Sequence, residues 1–267
     1  MTVPEIRRVL RSRVGGFFTN TLRSAPDTCD VCTGPAASDV CRQCREQRST
    51  FGDQVADLVI PLTYVKAGMT PTHQSEHHMY AYKSRPPAHR CANDLALTIL
   101  GATVLHRDCV ARVAGGPWEG VTYVPSARAQ GRAHPAAQLA RQVVEHGFPA
   151  QPVGLRLGPS GADVRRVALT DRFVVPDHWR DRVVGQHVVA VDDAWVTGAK
   201  AQSVAVALKA AGARWVSVLC VGRWLRHDWP DHRAFIRKLS SPYDPGRCPV
   251  TGDACPTSVS DLGGDQV

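Results

Sequence analysis

Residues 187–200 read His-Val-Val-Ala-Val-Asp-Asp-Ala-Trp-Val-Thr-Gly-Ala-Lys, and this stretch decides the fold of the chain. The apolar, β-branched run 188–191 is typical of a strand that is buried on both faces of a parallel sheet. Two adjacent carboxylates, Asp192 and Asp193, follow it, and a short turn leads into a helix-forming stretch, 200–211. The turn therefore lies at the carboxyl edge of the sheet, beside a helix N-terminus whose N–H groups favour an anion. Acids for sugar hydroxyls next to such a turn predict a ribose-phosphate site.

The same stretch resembles the phosphoribosyl-pyrophosphate motif of type I phosphoribosyltransferases, which reads apolar run, two acids, two apolar residues, Thr-Thr-Gly-x-Thr. The resemblance implies that Asp192 and Asp193 are the catalytic pair and hold the ribose hydroxyls, with magnesium accompanying the pyrophosphate. It implies a 5-phosphate loop made of Ala194, Trp195, Val196, Thr197, Gly198, Ala199 and Lys200. Val196 and Lys200 stand where the family has hydroxyls. The motif therefore supports substrate binding better than catalytic turnover, although the charged side chain of Lys200 can form an ion pair with a phosphate.

Another interpretation stays open for the acid pair. The alternative is an ordinary strand end in an α/β protein, where Asp193 or a neighbour caps the following helix. Two other nucleotide motifs are excluded, because no Gly-x-Gly-x-x-Gly follows a strand and Ala201 stands where a P-loop needs Ser or Thr. The ribose interpretation requires that the two carboxylates are not buried in a salt bridge and that the turn admits an anion.

The N-terminal region carries two Cys-x-x-Cys pairs separated by eight residues. Four thiolates at this spacing can surround one tetrahedral zinc ion and leave no open position, which predicts a structural site. The segment has few large apolar side chains, so it needs such a ligand to hold a fold. Disulfides or free thiols are the alternatives. The predicted ligands are Cys29, Cys32, Cys41 and Cys44.

A cysteine knuckle ahead of this motif resembles the ComF-like phosphoribosyltransferases, which are linked to competence and DNA uptake, over roughly residues 25–225. The segment 80–85 is similar to the family's Tyr-Lys-Tyr segment, and 121–126 to its Val-Pro-x-Pro strand. By this resemblance, base or phosphate contacts are expected at Tyr82, Lys83 and Arg85, and pyrophosphate contacts at Pro125, Ser126, Arg128 and Arg132. Two half-buried tyrosines with exposed charges between them, and solvated loop arginines, are the alternative explanations.

Composition limits the functional classes. The 267-residue chain has a net charge of +8, which favours polyanionic partners such as phosphoribosyl pyrophosphate or nucleic acid. No apolar run reaches the roughly 18 residues that a membrane helix needs, and the start has no signal-type apolar core, so we expect a cytoplasmic protein with no membrane contact. In that compartment the nine cysteines are expected as thiols or zinc ligands. The second functional hypothesis is a non-catalytic accessory that binds single-stranded DNA or a partner helicase.

The expected fold is α/β, a type I phosphoribosyltransferase-like parallel sheet flanked by helices with a small N-terminal zinc module. We expect a basic N-terminal arm (1–24), a zinc knuckle (25–50), a phosphoribosyltransferase-like domain (51–240) with a variable hood (about 55–115), and a flexible tail (241–267).

The other histidines and cysteines that lie close together in the sequence are not expected to bind a metal. His73, His77 and His78 are expected in a surface loop. The tail residues Cys248 and Cys255 are expected as unpaired thiols, with extra metal ligands as the alternative. Three further cysteines lie in apolar surroundings and are expected as small core residues: Cys91, Cys109 and Cys220.

Overall fold

The helices and strands alternate along most of the chain. A computed structural model describes residues 2–23, 26–126, 134–145, 150–163 and 166–255. The strands are β1 Leu58–Ala67, β2 Gly120–Tyr123, β3 Gln151–Pro152, β4 Arg156–Leu157, β5 Phe173–Val174, β6 His187–Trp195 and β7 Trp215–Arg226. The helices are α1 Val3–Val14, α2 Arg42–Phe51, α3 Gln74–Ala81, α4 His89–Ala114, α5 Pro135–Glu145, α6 Asp177–Arg180, α7 Ala199–Ala210 and α8 Pro230–Lys238, with a short 3-10 turn at Gly52–Gln54.

Five parallel strands form the main sheet, in the order β1-β7-β6-β2-β3. The strand with the acid pair, β6, is the central one, and it pairs with β2 and β7. Its apolar run alternates between two cores: Val189 and Val191 face one layer, whereas Val188 and Ala190 face the other. This double burial explains the continuous apolar composition of the run, and it confirms the α/β expectation.

Helices cover both faces of this sheet. On one side α1, α4 and α5 enclose the first core, and on the other α7 and the four-cysteine segment enclose the second. Because α7 connects β6 to the neighbouring parallel strand β7, it must cross one face of the sheet. The carboxyl ends of β2, β6 and β7 therefore meet at one edge of the sheet.

The sequence pattern over residues 151–157 predicts one strand, and this prediction is wrong because the segment forms two short strands, β3 and β4. β3 is a two-residue edge strand that ends at Pro152, and the Val153 N–H still donates to the Val121 carbonyl at 2.8 Å, so the missing N–H of the proline costs no bond to β2. The chain then turns at Gly154, where a Cβ would lie only 2.3 Å from the Trp179 indole nitrogen. β4 pairs instead with β5, in a separate antiparallel ribbon.

The ends of the chain are better packed than the sequence predicts. In the expected arm 1–24, α1 has a Thr2–Glu5 capping box, and its apolar face is buried against α4. The expected hood, about 55–115, begins with β1, an edge strand of the main sheet. In the expected flexible tail, Tyr243 and Cys248 are buried, and the described part ends at residue 255. Within the described residues, no helix combines the length and the apolar character needed to cross a membrane.

Candidate functional site

The acid pair lies inside β6. The strand pairs with β7 up to Trp195, and Asp192 stands opposite Cys220. The turn between β6 and α7 is therefore only three residues long, 196–198. Its position at the carboxyl edge, directly ahead of a helix, agrees with the expectation for an anion-binding turn.

Trp195 and Gly198 fix the shape of this turn. The Trp195 side chain is 2% exposed and packs in the second core. Gly198 has φ +75°, and a Cβ on it would lie 2.1 Å from the Trp195 ring, so only glycine fits. Thr197 supplies the local cap, because its Oγ1 accepts from the Ala199 N–H at 3.3 Å. Asp193 does not cap α7, and the cap comes from its neighbour Thr197, so an ordinary strand end is still compatible with the acid pair.

Lys83 forms an ion pair with Asp193, and this contact differs from the open carboxylates that the ribose interpretation requires. The carboxylate of Asp193 is 11% exposed, whereas the Lys83 side chain is 48% exposed. The two residues come from distant parts of the chain, since Lys83 follows α3 and reaches over the edge of the sheet. The contact counts against a preformed sugar site at Asp193, while it brings two sequence-predicted site residues together.

The charges at this edge are strongly coupled. Burial and the neighbouring Asp193 charge raise the pKa of Asp192 well above its usual range. Burial acts in the same direction on Asp193, but the Lys83 ammonium outweighs it and lowers that carboxyl's pKa. Burial opposes the charge of Lys83, yet the two carboxylates raise its pKa. Asp193 is therefore the charged partner of Lys83, and Asp192 is the carboxyl that retains a proton more readily.

Two aromatic residues and a histidine surround the acid pair. Tyr82 is buried, and burial together with the nearby Asp193 raises the pKa of its hydroxyl well above the usual value. His134 stacks on Tyr123 with ring centroids 5.0 Å apart and interacts electrostatically with Asp193. Burial lowers the pKa of His134, whose Nδ1 accepts from the Ala136 N–H at 3.1 Å. The sequence did not predict His134 as a site residue, although its position directly before α5, the helix that follows β2, indicates this edge.

The other predicted contacts have different outcomes. Val124 donates its N–H to the Val191 carbonyl at 3.0 Å, so Pro125 and Ser126 follow β2 out of the same edge. Arg85 and Lys200 are exposed. Arg128 and Arg132 lie outside the described residues.

No protein-family model matches this chain, and no curated protein matches it at a significant level. The assignment of function therefore rests on the geometry of the chain itself.

The four predicted zinc ligands form one cluster. The Sγ atoms of Cys29, Cys32, Cys41 and Cys44 all lie within 4.8 Å of one another. All four are free thiols, and Cys32 Sγ is 3.8 Å from Cys41 Sγ. A disulfide needs about 2.05 Å, whereas a tetrahedron with metal–sulfur bonds of about 2.3 Å has edges of about 3.8 Å. The cluster can therefore hold a structural metal ion such as zinc.

Arg223 and Gln47 connect the cysteine cluster to the turn. The buried Arg223 Nη1 donates to the carbonyls of Trp195 at 3.1 Å and Val196 at 2.9 Å. Hydrogen bonding among the cysteines, Cys29 foremost, lowers the pKa of Cys32 well below its usual value, and Arg223 contributes in the same direction. Gln47, on the helix that starts just after Cys41, donates to the Thr197 carbonyl at 2.9 Å. The four-cysteine segment therefore stabilises the turn between β6 and α7 through the hydrogen bonds of Gln47 and Arg223.

The three-histidine group is not a metal site in the structure. His73 Nδ1 accepts from the Ser75 N–H at the start of α3. His78 is buried rather than in a surface loop, and its Nε2 lies 3.3 Å from Asp94. Within the described residues these histidines do not join either of the two groups that could hold a metal.

Proposed function

We propose that this protein has a type I phosphoribosyltransferase-like fold and binds phosphoribosyl pyrophosphate or a ribose-5-phosphate nucleotide at the carboxyl edge of β6. One observation carries the proposal: Asp192 and Asp193 lie near the end of the central strand, which ends two residues after Asp193 at Trp195, and a three-residue turn then leads into α7. An anion at the α7 N-terminus is favoured by the helix dipole and by N–H groups that lack intrahelical partners. A pentose carrying that phosphate has its hydroxyls within reach of the preceding carboxylates.

Binding of the sugar requires Lys83 to leave Asp193. The ammonium sits on a half-exposed side chain, so it can move to a phosphate oxygen without first being extracted from a core. The exchange replaces one charge-assisted contact by two, Asp193 to a ribose hydroxyl and Lys83 to the substrate anion. Lys83 is therefore proposed as a residue that masks the acid in the free protein and contacts phosphate in the complex.

The proposed chemistry is transfer or release of the phosphoribosyl group. The bond between the anomeric carbon and pyrophosphate breaks, positive charge develops on the ribose ring, and the acceptor forms the new bond. The Asp193 carboxylate stabilises that charge, Asp192 holds a ribose hydroxyl, and the neutral His134 can donate a hydrogen bond at the same edge. The pyrophosphate brings magnesium with it, because this ion prefers phosphate oxygens and water.

In the same proposal, the cysteine cluster holds zinc and acts structurally, since four thiolates fill a tetrahedral ion. Zinc there stabilises the residues that donate to the turn carbonyls, Arg223 and Gln47. A cytoplasmic location, where thiols stay reduced, is part of the proposal.

Calorimetric titration tests the proposal. Phosphoribosyl pyrophosphate with magnesium is titrated into the wild-type protein, an Asp192→Asn/Asp193→Asn variant, and a control, Asp181→Asn, at the exposed residue that follows α6. We expect heat with the wild type and the control, and at least about a tenfold weaker association for the double variant, in line with the loss of two hydrogen bonds. The proposal is abandoned if the wild type gives no heat or if the double variant binds equally well. Pyrophosphate release with individual nucleobases then separates an enzyme from a binder.

A second candidate, an accessory that binds single-stranded DNA, is favoured by a groove between the cysteine module and α8. This cavity, about 810 Å³, is lined by Arg42, Arg45 and Trp229 among others. Trp229 is 38% exposed, and aromatic side chains beside basic ones suit nucleobase stacking along a phosphate chain. Acidic residues also line the groove, and Asp27 pairs with Lys238.

Fluorescence anisotropy with a labelled DNA single strand at several salt concentrations tests this candidate. An Arg42→Ala/Arg45→Ala variant is expected to weaken binding and flatten the salt slope by roughly 1 to 2, whereas Arg180→Ala leaves both unchanged. Equal binding by both variants rules the groove out.

A further inference from the structure

We infer that His106, Cys109, Cys248 and Cys255 form a second zinc site, which fastens the C-terminal segment to α4. The four ligand atoms lie within 4.8 Å of one another, the same criterion that the N-terminal cluster meets. His106 and Cys109 lie three residues apart on one turn of α4, and so face the same side of the helix. The inference does not depend on whether the sheet edge binds a pentose.

The spacing of the ligand atoms fits a tetrahedral ion. Cys255 Sγ lies 3.4 Å from His106 Nδ1. Zinc–nitrogen and zinc–sulfur bonds of about 2.0–2.1 and 2.3 Å give a tetrahedral N···S edge of about 3.6 Å. No sulfur of this group is in a disulfide. Three thiols and one imidazole at such separations match a structural zinc site of the Cys3His type.

The orientation of His106 is already set for metal binding. Its Nε2 lies 3.0 Å from the Pro245 carbonyl oxygen. A carbonyl can only accept, so Nε2 carries the proton and Nδ1 keeps its lone pair. That lone pair is on the nitrogen nearest Cys255. Metal-bound histidines commonly show this arrangement, with the other ring nitrogen donating to a carbonyl or carboxylate.

The chain between Cys248 and Cys255 is folded into a tight knuckle. The Cys248 N–H donates to the Asp253 carbonyl at 2.8 Å, and the Gly252 N–H donates back to the Cys248 carbonyl at 2.8 Å. Gly252 has φ +89°, which only glycine adopts readily. The Thr251 hydroxyl donates to the Ala254 carbonyl at 2.7 Å. These bonds return the chain so that both sulfurs face α4.

A bound metal ion also explains why residues 241–255 pack against the rest of the protein. From residue 241 to 255 the chain has no helix or strand, so it lacks the regular backbone hydrogen bonds that hold other segments. It nevertheless lies against the N-terminal region: Asp244 accepts from Arg11 at 2.8 Å, and its N–H donates to Asn20 at 2.7 Å. Ligands up to 149 residues apart in sequence would then close one large loop. Closing a long loop removes much of the entropy of the unfolded chain.

Metal analysis of the full-length protein tests the second site. Protein purified under reducing conditions and dialysed against metal-free buffer is analysed for zinc by mass spectrometry. We expect about two zinc ions per chain in the wild type, and about one in Cys109→Ser and in Cys255→Ser. Cys255 is exposed, so its variant keeps the fold even where Cys109→Ser does not. Cys91→Ser, which removes a buried thiol from the same helix, is the matched control and retains about two ions.

Cobalt substitution supplies an independent readout. Cobalt bound to thiolates absorbs strongly, and Cys255→Ser should remove about half of the signal that the wild type develops at saturation. A wild type with fewer than two metal ions overturns the inference. So does a metal content that Cys109→Ser and Cys255→Ser leave unchanged, or a disulfide between Cys248 and Cys255 that persists in protein purified under reducing conditions.

Discussion

Replacing Gly198 by alanine tests whether the turn is held in one shape. Gly198 has φ +75° and lies directly over the Trp195 ring, so an added Cβ meets that ring at 2.1 Å. The Trp195 side chain is buried, so the ring cannot swing into solvent to make room. The turn must shift instead, and with it the first N–H groups of α7.

The magnitude has two parts that can be separated within this chain. A left-handed conformation costs a residue with a Cβ about 1–2 kcal/mol relative to glycine. Forcing a methyl group into a packed region adds about 1–3 kcal/mol. Gly185, at the other end of β6, has φ +72° with no atom near its Cβ position, so Gly185→Ala carries the backbone cost alone. The difference between the two variants is therefore the steric part.

Urea denaturation of both variants measures the two costs. Gly198→Ala is expected to lower the free energy of unfolding by about 2–5 kcal/mol, and Gly185→Ala by about 1–2 kcal/mol. The folded fraction of Gly198→Ala should also lose phosphoribosyl pyrophosphate binding, because its anion site has moved. Equal destabilisation by the two substitutions would refute the packing of Trp195 against the turn.

Two further predictions concern buried polar groups. Arg223→Met removes the donor to the carbonyls of Trp195 and Val196. It should lower the free energy of unfolding by about 1–3 kcal/mol in urea titrations, and a chelator should remove zinc from the variant more readily. Unchanged values would show that Arg223 does not link the stability of the cysteine cluster to that of the turn. Burial lowers the pKa of His187 to about 4, against about 6.5 when unfolded. The contribution of the neutral His187 to the free energy of unfolding is therefore fully present above pH 6.5, and about 3 kcal/mol of it is lost as the pH falls to about 4. His187→Gln should show a smaller loss over this pH range in urea titrations. A variant with the same pH dependence as the wild type would contradict the assignment.

Local pattern was sufficient for the central strand and for the first metal cluster. The apolar run 188–191 could be read as a doubly buried strand because its neighbours on both faces are apolar. The four N-terminal cysteines could be grouped because their spacing alone brings them together. The structure bears out both expectations at the level of a parallel α/β sheet and a cluster that can hold a metal.

Contacts between distant segments could not be derived in this way. Lys83 and Asp193 lie far apart in the sequence, so nothing in the residues around either one indicates that they form an ion pair. Cys109 and Cys248 were expected as a core residue and a tail thiol, because the tail has no apolar periodicity that would dock it on α4. The break at Pro152 was missed because a short apolar run does not reveal which strand it pairs with.

A crystal structure of the protein soaked with ribose-5-phosphate tests the central claim most directly. We expect the phosphate at the first N–H groups of α7, the ribose hydroxyls on Asp192 and Asp193, and the Lys83 ammonium displaced from Asp193. A phosphate bound elsewhere, or an intact Lys83–Asp193 pair at ligand concentrations that saturate binding in solution, would contradict it.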